Sequence, residues 1–138
     1  DLLPAIIFLV AAFIGFAMGT SWGTIALILP IIIGVFDAAD PLFLVAVGSA
    51  LAGAVYGDHI SPISDTTILS SAGAKCNHLR HVATQIPYAT LVMIVCFVGY
   101  VIAGFTKSPW ISLALGVVLI VIAVLVLVRM EASKKAKA

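Results

Sequence analysis

The stretch Gly57-Asp58-His59-Ile60-Ser61-Pro62-Ile63-Ser64-Asp65-Thr66-Thr67 sets two carboxylates, four hydroxyls, a glycine and a proline inside an apolar chain. Of the 138 residues, 63% are hydrophobic and 9% charged, and the mean hydropathy is +1.27. Soluble domains carry about 25% charged residues. A soluble fold of this length cannot hide so much apolar surface, so the natural solvent is a bilayer. The fold class expected is an all-α membrane protein, interrupted at this stretch.

Upstream, residues 42–56 read as a helix in which Ser49, Gly53 and Gly57 recur every four residues. That stripe of small residues lets another backbone approach closely. Asp40 is placed to cap this helix, with Pro41 in its first turn. Gly57 and Pro62 are expected to break it. Pro62 lacks the donor that would hold the Asp58 carbonyl in a helix. The helix resumes near Thr66, so residues 42–74 form one interrupted helix.

Further upstream, residues 2–36 carry no charged side chain. One straight helix over that run would be about 52 Å long, against a hydrocarbon core of about 30 Å. The sequence Gly19-Thr20-Ser21-Trp22-Gly23-Thr24 supplies the break, with Gly19 and Gly23 as helix breakers. Two short arms meeting at a polar tip describe a re-entrant hairpin over 2–36. Such backbone survives at membrane depth only inside protein or beside a watery cavity. Pro30 should kink the second arm. The chain opens on Asp1 without a basic leader and enters the apolar run at once, so it reads as a piece lacking its upstream part.

Downstream, residues 75–85 hold Lys75, His78, Arg80 and His81 and read as a loop or interfacial segment. Pro87 is expected to open a span over 86–105. A turn at Thr106-Lys107-Ser108-Pro109 leads to a last span over 109–128, which faces lipid. Residues 1–128 are thus the transmembrane domain, and 129–138 a basic, disordered tail. The tail holds four Lys and Arg, the 75–85 loop two and the turn one. Tail and loop belong together on the cytoplasmic side, so the hairpin enters from outside and returns there.

Asp58 and Asp65 are the acids that lie well inside apolar sequence. A lone carboxylate there costs several kcal/mol unless it is paired, hydrated or bound to a cation. No lysine or arginine lies within the break, so a mobile cation or proton should fill that role. Ser61, Ser64, Thr66 and Thr67 are hard oxygen donors suited to Na⁺ at Asp58 and Asp65. Burial raises a carboxyl pKa, so H⁺ would compete for the same site, and competition at one alternating site is sufficient for antiport. Thr20, Ser21 and Thr24 would face this site from the hairpin tip. His59 is either a proton relay or a hydrogen-bonded core histidine. A plainer role for Asp65 is to cap the half-helix that follows it. The tip glycines have a plain reading too, as close-packing positions, with Trp22 an interfacial anchor.

Other signals are weak. Net charge is +1 and no basic patch is interleaved with aromatics, so nucleic acid is not a partner. Cys76 and Cys96 have no paired spacing, and Cys76, His78 and His81 lack a fourth zinc ligand, so an interfacial helix with His78 and His81 on one face is the reading there.

The hairpin-tip and polar-break strings, with Ile68-Leu69-Ser70-Ser71, Cys76-Asn77-His78, His81-Val82 and Gln85-Ile86-Pro87-Tyr88, resemble the C-terminal part of NhaC-type Na⁺/H⁺ antiporters. The likeness covers residues 10–105. The resemblance implies a multi-pass inner-membrane protein of the broader ion transporter superfamily. That group is built from inverted repeats, each with a re-entrant hairpin and an interrupted helix, and this chain would be the second. Its partners would be small cations and protons, the lipid bilayer and the upstream half of the same transporter. A homodimer is left open. No cofactor is expected, Na⁺ and H⁺ being cargo. The family also holds malate/lactate antiporters, so Na⁺-coupled organic-acid exchange is the alternative. An intramembrane aspartyl protease is the remote one. Its two acids would have to share a proton, yet seven residues of continuous helix would separate them by about 10 Å.

Overall fold

The computed structural model describes residues 2–135, with side chains through Arg129. The described residues form α-helices and no strand: α1 (Leu3–Met18), α2 (Ser21–Val35), α3 (Phe43–Ile60), α4 (Asp65–Gly73), α5 (His78–Thr106) and α6 (Pro109–Lys135). Helices α3, α5 and α6 are long and apolar enough to cross a membrane, α6 as far as Arg129. Helices α1 and α2, of 16 and 15 residues, are shorter. The protein is a helical membrane protein.

The long apolar run breaks where expected, in fewer residues. Gly19 closes α1 in the left-handed region at φ 66°, with its N–H on the Gly15 carbonyl at 2.9 Å. Thr20 is extended and caps α2, its Oγ1 accepting from the Gly23 N–H at 3.5 Å. Gly23 therefore does not break a helix. It lies in the first turn of α2, where a Cβ would come within 2.8 Å of Thr20 Cγ2. Pro30 sits inside α2.

Helix α3 is the axis of the fold. Asp40 acts just before it rather than as its cap. Its Oδ1 accepts from the Leu42 N–H at 2.8 Å, and the helix starts at Phe43. Helix α1 lies along α3, and α2 packs against α3 as well. Ala11, Ile28, Ile32, Ala46 and Ala50 form the core where the three meet. The small-residue stripe is what lets α1 in. A Cβ on Gly53 would strike the Phe8 carbonyl. One on Gly57 would lie 2.6 Å from the Phe16 nitrogen, and one on Gly15 2.7 Å from the Ala54 carbonyl oxygen.

Gly57 consequently is not a helix breaker. Helix α3 runs on through Asp58 and His59 to Ile60, and the interruption is residues 61–64 only. A glycine inside a helix serves close approach as readily as it serves a break, and here the neighbouring backbone requires the approach.

Helix α5 begins at His78, not near Pro87. Asn77 caps it by accepting from the Arg80 N–H at 3.0 Å, and Pro87 lies within the helix. Part of the segment expected as loop or interfacial helix is therefore the first turns of α5. Tyr100 ties α5 to α3 by donating to the Gly48 carbonyl at 2.9 Å. Ser112 ties α6 to α5 by donating to the Gly99 carbonyl at 2.7 Å. None of the apolar span of α6 is buried. Helix α6 extends through Lys135, so the basic segment begins as helix; residues 136–138 lie outside the described residues.

Candidate cation site at the helix break

Ser61 ends α3 in extended conformation, and its N–H donates to the Asp58 carbonyl at 3.1 Å. That carbonyl is therefore not freed by Pro62; it exchanges a helical partner for a tighter one. Ser64, not Asp65, caps α4: its Oγ accepts from the Thr67 N–H at 3.2 Å. Asp65 is the first helical residue, where a negative charge suits the helix dipole.

The hairpin tip lies against this break. Ser61 Oγ donates to the Phe16 carbonyl at 2.8 Å, and the Asp65 N–H to the Gly19 carbonyl at 3.2 Å. A Cβ on Gly19 would come within 2.6 Å of the Ile63 carbonyl oxygen. Four helix ends thus meet: the carbonyl ends of α1 and α3 and the amide ends of α2 and α4. The tip touches the break through backbone, not through its hydroxyls. Thr20 caps its own helix, and Thr24, fully buried, donates to the Thr20 carbonyl at 2.9 Å. Ser21 is half-buried in the first turn of α2.

Asp58 is 1% exposed. The Thr66 hydroxyl donates to its Oδ2 at 3.5 Å, while Oδ1 is buried without a partner. Ser64 Oγ and Thr66 Oγ1 are hydrogen-bonded at 2.9 Å. The Thr66 N–H donates to Asp65 Oδ1 at 2.7 Å, so Thr66 touches both acids. Asp65 is exposed, and among the described residues the two carboxylates share no hydrogen bond. That separation removes the geometry an aspartyl protease dyad requires. Ser61 and Thr67 are buried beside the break. No lysine or arginine occurs before Lys75. A buried carboxylate with an idle oxygen and no fixed counter-charge is equipped to take a cation or a proton.

His59 turns away from Asp58. Its Nδ1 is 2.9 Å from the Val55 carbonyl oxygen, and the ring lines an apolar cavity of about 530 Å³ with Tyr56 and Val92. Only Nε2 is left for any proton relay. Cys76, His78 and His81 do not gather: His78 bonds Ser71 and Pro62, His81 bonds Ser70, and no metal-binding cluster occurs among the described residues.

Two residues have a place here that the sequence reading did not assign them. The Gln85 Oε1 is buried without a partner. The hydrogen bonds from α5 to α3 and the break, His78–Pro62, Thr90–Tyr56 and Tyr100–Gly48, run antiparallel, which sets Gln85 near the level of Asp58 and His59. His78 grips the break directly. Both sit in the segment read as loop or interfacial helix, where His78 reads only as a weak metal ligand; the Asn77 cap was the clue to where the helix starts.

The model of the Na⁺/H⁺ antiporter family matches residues 1–105. The chain belongs to the Na⁺/H⁺ antiporter family. It is 52% identical over 107 residues, 77% of its length, to an uncharacterized protein of Haemophilus influenzae, of which this covers 21%. It is 35% identical to the malate-2H⁺/Na⁺-lactate antiporter of Bacillus subtilis over 70% of this chain and 21% of that one. It is 36% identical to an uncharacterized Na⁺/H⁺ antiporter of H. influenzae over 58% of this chain and 17% of that one. The chain thus spans about a fifth of the length of these relatives. No solved structure matches it. The family, and the two relatives that carry a functional name, are antiporters.

Proposed function

We propose that this chain belongs to the second repeat of an inverted-repeat Na⁺/H⁺ antiporter of the cytoplasmic membrane, with Asp58 as the group that exchanges Na⁺ for H⁺. The observation that carries the reading is the buried Asp58 carboxylate, with one oxygen unpartnered at a junction of four helix ends.

An ionised carboxylate out of water carries an effective penalty of several kcal/mol. Na⁺ or H⁺ relieves it, and the two exclude each other on one carboxylate. A hard cation holding oxygens at about 2.4 Å sets neighbouring oxygens roughly 3.4 Å apart. The Asp58, Thr66 and Ser64 oxygens are spaced at 3.5 and 2.9 Å along their chain, which supports their joining one shell. The carbonyl ends of α1 and α3 favour the cation, as in transporters built on broken helices. Asp65, exposed and linked through Thr66, stands on the approach and shares the site. Ser61 and Thr67 wall it.

The topology follows from length. Helices of 16 and 15 residues reach about 24 and 22 Å, short of a core of about 30 Å. They form a re-entrant hairpin entering from outside, with the basic segments cytoplasmic. A matching hairpin and broken helix of opposite topology belong to the upstream half.

The test is Na⁺-driven H⁺ movement in vesicles holding the full-length transporter. Asp58→Asn and Asp65→Asn each abolish it; normal exchange by Asp58→Asn sinks the reading. The 35% identity to a malate-2H⁺/Na⁺-lactate antiporter favours a second reading, Na⁺-coupled organic-acid exchange on the same scaffold. The amide ends of α2 and α4 would then face the anion. Na⁺-dependent malate or lactate uptake by the same vesicles separates the two.

A further inference from the structure

We infer that His78 is a positioning residue of the cation site, which keeps the break open by holding the Pro62 carbonyl; this rests on Asp58 being the cation carrier. In a continuous helix the Pro62 carbonyl would accept from the N–H four residues on, that of Thr66. That N–H is committed to Asp65 Oδ1 at 2.7 Å. The break therefore leaves the Pro62 carbonyl without its helical partner, and backbone carbonyls are as a rule paired.

His78 meets it. In the first turn of α5, its Nε2 lies 2.6 Å from the Pro62 carbonyl oxygen and its Nδ1 3.1 Å from Ser71 Oγ. A carbonyl only accepts, so Nε2 carries the proton. A hydroxyl both donates and accepts, so Ser71 serves either state of Nδ1. The Asn77 cap fixes the turn from which the ring reaches out. The break is then clamped from two sides, by Phe16 and Gly19 of the hairpin and by His78 of α5.

The clamp reaches the cation through Thr66. Without His78, the Pro62 carbonyl competes with Asp65 for the Thr66 N–H. Capture of that N–H winds α4 back by a turn and draws the Thr66 hydroxyl off Asp58. His78 thereby sets cation affinity without touching the cation.

The experiment compares side chains that mimic one ring nitrogen each, in the full-length transporter in vesicles, with rates normalised to folded protein. His78→Gln can place an amide N–H where Nε2 stood, and His78→Asn only where Nδ1 stood. Expected are a near-normal Na⁺ KM in His78→Gln and a KM raised about tenfold, the worth of one hydrogen bond, in His78→Asn and His78→Ala, with the maximal rate largely kept. Ser71→Ala leaves the KM unchanged. A normal Na⁺ KM in folded His78→Asn or His78→Ala overturns the inference, as does a tenfold rise in Ser71→Ala. Asp58→Asn, measured alongside, tells the two readings apart. If it is inactive while His78→Asn keeps its KM, only the role of His78 fails; if it exchanges normally, both fail.

Discussion

The turn at residues 19–20 and the break at residues 61–64 lie in contact, yet they dispose of their polar groups differently. At the turn, every hydroxyl that was expected to face cargo and makes a hydrogen bond spends it on its own backbone: Thr20 caps Gly23, and Thr24 binds the Thr20 carbonyl. At the break, Ser64 caps α4 in the same way, but the neighbouring Asp58 keeps an oxygen with no partner and the Pro62 carbonyl is met only from another helix. Polar groups at the two interruptions therefore fall into two kinds. Most complete the backbone where a helix stops. Asp58 Oδ1 instead keeps a binding capacity that no neighbouring group satisfies, and the proposed cation role rests on it.

The comparison needs the two interruptions held together, and Gly57 does that by admitting α1 to α3. Gly57→Leu would drive a side chain into the Ala12 carbonyl and the Phe16 nitrogen, the latter 2.6 Å from the first added carbon. Overpacking costs about 1–3 kcal/mol where neighbours can shift, and backbone cannot shift far. The expected outcome is loss of folded protein, scored by monodisperse yield and thermal melting. Gly116→Leu on α6, with nothing within 4 Å, should fold normally and provides the control. Equal yields would mean that the α1–α3 contact does not hold the tip on the break.

The sequence carried the places of both interruptions, because a charge-free run of that length cannot be one helix and a proline with clustered hydroxyls cannot continue one. It carried Asp58 as well, since an acid in apolar surroundings needs an explanation wherever it lies. It did not carry the division of labour among glycines. Gly19 breaks a helix at positive φ, while Gly23 and Gly57 stay helical, and only the neighbouring backbone distinguishes them. Nor did it separate Asp65 from Asp58. Seven residues apart in sequence, one is exposed at a helix start and the other sealed by α1. Pro87 misled because proline opens helices as readily as it interrupts them, and the cap that decides the matter is Asn77.

A smaller effect tests the break itself. Among the described residues, Thr66 provides the one hydroxyl bonded to Asp58, at a long 3.5 Å. A close hydrogen bond to a charged group is worth about 1.5–3 kcal/mol, and a long one less. Thr66→Ala should therefore raise the Na⁺ KM by about threefold, while Thr66→Ser keeps the hydroxyl and stays near the parent. Initial exchange rates against Na⁺ concentration give both values. An unchanged KM in Thr66→Ala would leave Asp58 acting without its hydroxyl neighbour and shift the shell toward backbone carbonyls.

The smallest effect falls at the turn and decides whether the contrast is real. Thr20→Ala removes a cap bond that is already long at 3.5 Å, and caps are worth about 1 kcal/mol. Stability should fall by no more than that, read as a small drop in melting temperature, and the Na⁺ KM should not move. The two readouts matter together. If the KM rose with Thr20→Ala as it does with Thr66→Ala, the tip hydroxyl would be facing the ion, and the turn would join the break as a second wall of donors. If only stability fell, the hairpin would serve the site through the Phe16 and Gly19 carbonyls, which no side-chain substitution removes. Its contribution would then be the shape it imposes on residues 61–64, and its polar sequence the means by which two short helices can end inside a membrane.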